Sequence, residues 1–142
     1  MSGSAPLGLL AAAAWVSLAT LTDNVRWALR ECLAGRPVSP ERQSALQQAC
    51  DEMFPSERWQ GTGFALFKLM QRAVGEVPDQ NSYLKQVLET LRGVLDGKPS
   101  DQTRIEEAAK LFGRANTLAL EGFHRTQDLS DLGPEGEDKS DV

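Results

Sequence analysis

The chain is poor in the residues that do chemistry. It has one histidine, His124, and two cysteines, Cys32 and Cys50, with no CxxC pair among its 142 residues. A zinc site needs three or four such ligands at set spacings, so no metal site is implied. The glycines of the GTG stretch, Gly61 and Gly63, lack the lysine and hydroxyl residue of a phosphate-binding loop. Glu106–Glu107 and Asp51–Glu52 are adjacent pairs, which point about 100° apart on a helix and cannot share acid–base work. No catalytic constellation and no cofactor is therefore expected, and His124 reads as a cation near the end of the last helix.

Charge is missing from the start of the chain. Residues 1–22 carry none, and the run Pro6–Leu21 is largely apolar. A secretory signal would need a basic segment before that run, whereas the first Lys or Arg is Arg26. A membrane span needs about 20 clearly apolar residues, and this shorter stretch contains Gly8, Ser17 and Thr20. The leader, residues 1–22, is thus expected to be a helix packed on the domain or on a partner. Membrane contact through residues 6–21 is the less favoured alternative. Cover by another subunit fits an assembly protein best, so removing residues 1–21 is expected to leave a folded helical core and weaken self-association or partner binding.

Imbalance of charge is confined to the other end. Asp128, Asp131, Glu135, Glu137, Asp138 and Asp141 face one base, Lys139, leaving fourteen acids and fourteen bases in residues 1–127. The division expected is a leader (1–22), a helical bundle (23–127) and a disordered acidic tail (128–142). Cys32 lies about two residues before the first turn and Cys50 about ten along the returning helix, so they stand about 12 Å apart along the axis, too far to bridge. They read as reduced core residues, which points to a cytoplasmic setting.

Helical periodicity fills the rest. Apolar stripes run through Val25, Ala28, Leu29, Cys32 and Leu33, then Leu46, Ala49, Cys50, Met53 and Phe54. After a glycine break at Trp59–Phe64 come Phe64, Phe67, Met70, Ala73, Val74 and Val77. Leu84, Val87, Leu88, Leu91, Val94 and Leu95 make a fourth stripe. Ile105, Ala108, Ala109, Phe112, Ala115, Leu118 and Phe123 make a fifth. No segment alternates with period 2. The expected fold is all-α: a bundle of four to five amphipathic helices.

One phrase occurs twice. LRECLAGRP (Leu29–Pro37) returns 62 residues later as LRGVLDGKP (Leu91–Pro99), with five identities in nine positions. A glycine stop, a proline that blocks continuation and a serine cap (Ser39, Ser100) are what a tight helix–helix turn requires. The repeat therefore predicts two αα-hairpins. Beyond the turns the following helices share no identity, which favours common turn grammar over duplication.

Surface residues suggest binding rather than catalysis. Arg26, Arg30 and Arg36, with Arg92 and Lys98 at matching places of the second hairpin, could present cations at one end of a bundle. Trp15 and Trp27 are further candidate contacts, Trp27 lying about a quarter turn off its apolar stripe. The function expected is a non-catalytic interaction or assembly subunit, with a protein partner or self-association. The alternative is a small helical subunit that contacts nucleic acid within a nucleoprotein assembly.

Overall fold

The computed structural model describes residues 4–54 and 62–125, with side chains from residue 12 in the first segment and from 64 in the second. Five helices and no strand are found among them: α1 (Ser4–Leu33), α2 (Pro40–Glu52), α3 (Thr62–Val74), α4 (Gln80–Leu95) and α5 (Gln102–His124). Residues 55–61, with Trp59 and Gly61 of the expected glycine break, lie outside the described residues, as does the acidic segment, whereas Gly63 and Phe64 belong to α3.

The doubled phrase yields the same turn twice. Gly35 and Gly97 have φ of 74° and 73°, the left-handed conformation that costs glycine least. In the first turn Arg36 N–H donates to Glu31 O (2.9 Å) and Gly35 N–H to Cys32 O (3.0 Å). In the second, Lys98 N–H donates to Gly93 O (2.8 Å) and Gly97 N–H to Val94 O (3.2 Å). These are the paired bonds of a Schellman cap, offset by the 62 residues of the repeat.

The next helices start differently. Ser39 holds the N-cap position of α2 without a side-chain cap bond, and Pro40 takes the first helical position. Glu31 supplies the missing anchor: it accepts Ser39 N–H at 3.4 Å and pairs with Arg42. At α5 the cap is Asp101, which accepts Arg104 N–H at 3.0 Å, so Ser100 is not the capping residue.

The first and last helices share the largest interface in the bundle. Asn116 meets Ala19, Gly122 meets Trp15, and Gly113 meets Arg26, so the two helices run antiparallel. Helix α2 packs on α1, and α3 on α5. Because α1 ends where α5 begins, both glycine turns lie at the same end of the bundle. The boundary expected at residue 22 falls inside one continuous helix of 30 residues. Trp15, Leu18 and Leu21 are buried beside Val25, Ala28 and Leu29, so the chain's own bundle covers these three side chains.

Most stripes bury as their spacing requires, with two corrections. On α3 the fully buried residues include Leu66, Leu69 and Met70, while Phe64 and Phe67 are half-buried. Helix α3 touches α5, α2 and α4, so the face it hides is wider than the expected stripe. On α5, Ala119 and Gly122 continue the buried face and Phe123 points outward. No helix among the described residues is long and apolar enough to cross a membrane.

Candidate functional site: the Trp27 arginine face and the α1–α5 groove

Trp27 departs from the buried face of α1 because Val25, Ala28 and Leu29 fix that face. It is 37% exposed. Three guanidinium groups surround it: Arg26 at 5.2 Å from the ring centroid, Arg30 at 5.1 Å and Arg42 at 5.9 Å. Arg26 and Arg30 belong to its own helix. Arg42 comes from α2, brought over by the first turn and held by Glu31. All three are within the ~6 Å over which a cation is attracted to an aromatic face.

Arg26 is held from several sides. Its terminal nitrogen Nη2 lies 2.7 Å from Asp23 Oδ1, one helical turn away. Its Cδ would lie 3.4 Å from a Cβ at Gly113, so its stem crosses α5 where that helix has no side chain. Its Nε is buried and has no acceptor among the described residues. The result is a guanidinium held in place by Asp23 and by its close approach to α5.

Arg26 and Arg30 also form one wall of a groove of about 590 Å³ between α1 and α5. Lys110 and Glu106 stand on the opposite wall, and Leu33, Ala34, Ala109 and Gly113 complete the lining. On α5 these residues follow i, i+3, i+4, i+7, one helical face. Arg26–Asp23 and Arg42–Glu31 are the ion pairs among the described residues. Arg30 and Lys110 therefore face the groove with no carboxylate within pairing distance among the described residues.

The remaining candidates separate. Arg36 and Lys98 are exposed on the two turns, at the groove's end of the bundle. Arg92 is exposed on α4, where its charge acts on Cys50 of α2 rather than on Trp27. Trp15 is 1% exposed and belongs to the core; antiparallel packing against Gly122 removes it from any surface. Arg42 and Lys110 were not legible as members of this face, since each joins it through a neighbouring helix. The one available signal was Arg42's position just after the turn.

Both thiols are free, and burial pushes that of Cys50 up to about 11. Glu121 and His124 stand three residues apart on α5, a spacing used by bundle metal sites. Both are exposed, and among the described residues no third ligand gathers with them. The chain matches no family model, no curated protein and no solved structure.

Proposed function

We propose that this chain is a non-catalytic helical interaction subunit that docks an anionic surface of a protein partner. The observation that supports this is the half-exposed Trp27 ringed by Arg26, Arg30 and Arg42. Tryptophan and arginine are the residues most enriched at binding hot spots. The guanidinium groups gathered at the ring hold donors in place before a partner arrives, which lowers the ordering cost of association. In this reading the two hairpin turns carry Arg36 and Lys98 at the rim. The reduced thiols fit a cytoplasmic location, and no cofactor is required.

Nucleic-acid contact is the second reading, favoured by the same juxtaposition of an aromatic face with arginines. Retention on heparin and on single-stranded nucleic acid, measured against salt, separates the two. A phosphate-backbone binder loses affinity steeply with salt; the protein-docking reading expects weak retention that Trp27→Ala barely changes. Steep retention abolished by Trp27→Ala would replace it with the nucleic-acid reading.

A further inference from the structure

The groove between α1 and α5 presents Arg30 and Lys110 without carboxylate partners among the described residues, and the same chain carries a surplus of carboxylates beyond α5. Residues 128–141 hold six acids against Lys139. Glu106 is the one acid lining the groove. Charge is therefore complementary within a single chain.

Reach decides which acids are competent. Lys110 lies fifteen residues before Arg125, or about 22 Å along the helix at 1.5 Å per residue. An extended chain covers about 3.3 Å per residue, so Asp128 gets about 10 Å from Arg125 and Asp131 about 20 Å. Both fall short. Glu135 can be about 33 Å away, and Glu137 and Asp138 further still, enough to turn back along α5.

We infer that the α1–α5 groove is the docking site of this chain's own acidic segment, with Glu135, Glu137 and Asp138 meeting Arg30 and Lys110. Tethering makes the encounter intramolecular, at an effective concentration of about millimolar for a short linker. Exposed pairs of this kind are weakened by salt, as the screening length falls from about 10 Å at 0.1 M to about 3 Å at 1 M. The segment would then compete with an anionic partner for Arg30, so that a partner must displace it. This regulatory role rests on the proposed docking face, but occupancy of the groove can be read in the isolated chain.

The test is amide NMR of the full chain at low salt. Wild type is compared with E135Q/E137Q/D138N and with D128N/D131N, changes that leave the described bundle untouched. The inference expects the first variant to move the amide resonances of Ala109, Lys110 and Gly113, as 1 M salt does in wild type. The second variant should leave them nearly in place. Unmoved groove resonances in E135Q/E137Q/D138N would overturn the inference, and so would equal shifts in both variants. Shifts that grow with protein concentration would assign the contact to a second copy and overturn the intrachain form. None of these readouts involves a partner, so the docking reading can stand or fall separately.

Discussion

Trp15 occupies the space that a side chain at Gly122 would need. A Cβ built on Gly122 would lie 2.6 Å from Trp15 Cε2 and 2.7 Å from Cδ2 and Cζ2. The largest side chain of the apolar N-terminal segment thus packs directly on the backbone of the last helix. Gly122→Ala should destabilise by about 1–3 kcal/mol, the usual cost of overpacking a filled site. Urea unfolding checks this, and an unchanged midpoint would mean that the indole does not sit there.

The same packing reverses the expectation for truncation. Burying Trp15, Leu18 and Leu21 stabilises by roughly 1.5–3 kcal/mol each, against a typical total of about 5–15 kcal/mol. Deleting residues 1–21 should therefore abolish cooperative thermal unfolding, seen by circular dichroism, rather than leave a sound core that associates less.

A polar contact sits beside the tryptophan. Asn116 Nδ2 donates to Ala19 O at 2.7 Å and to Thr22 Oγ1 at 3.3 Å. Thr22, fully buried, donates in turn to the carbonyls of Leu18 and Ala19. Asn116→Ala should cost about 1–3 kcal/mol. Thr22→Val in that background should cost less than in wild type, because the two share a network. Strict additivity in a double-mutant cycle would contradict the coupling.

At the turns, Gly35→Val and Gly97→Val should each cost about 1 kcal/mol or more, since φ is positive at both. Gly93 is a different case. A Cβ there would lie 2.8 Å from the Lys98 carbonyl oxygen, so Gly93→Ala should disturb the second turn, whereas Glu31 occupies the equivalent place in the first. Hydrogen exchange at Lys98 N–H reports on it; unchanged protection would refute the clash.

Cys50 gives a pH dependence. Burial raises its thiol from 9.0 to about 11, with Arg92 partly opposing. The folded state binds that proton more tightly than the unfolded chain, so the contribution is whole below pH 9.0 and lost as pH rises through about 11. Stability of wild type should fall over that window, and Cys50→Ala should show a shallower decline. Equal alkaline slopes would contradict the assignment.

Helix number and most core positions were legible because period 3.6 and glycine–proline punctuation are local signals. The turn around Gly35 could be read for that reason. What was not legible is the pairing of α1 with α5, which joins residues such as Ala19 and Asn116, 97 positions apart. That pairing turns Trp15 from a candidate contact into core and makes Lys110 a neighbour of Arg30. Trp27 could be marked from its angle off the stripe, but its third arginine, Arg42, arrives from another helix.

The docking face is tested most directly by quantitative capture with the full chain as bait, comparing wild type, Trp27→Ala/Arg30→Glu and the remote control Arg125→Glu. All three should first show matching thermal unfolding. The account predicts a defined set of proteins, insensitive to nuclease, retained by wild type and the control and depleted at least about thirtyfold by the double variant, the ~2 kcal/mol expected at a hot spot. Equal capture by wild type and the double variant, or a captured set that vanishes on nuclease treatment, would contradict it.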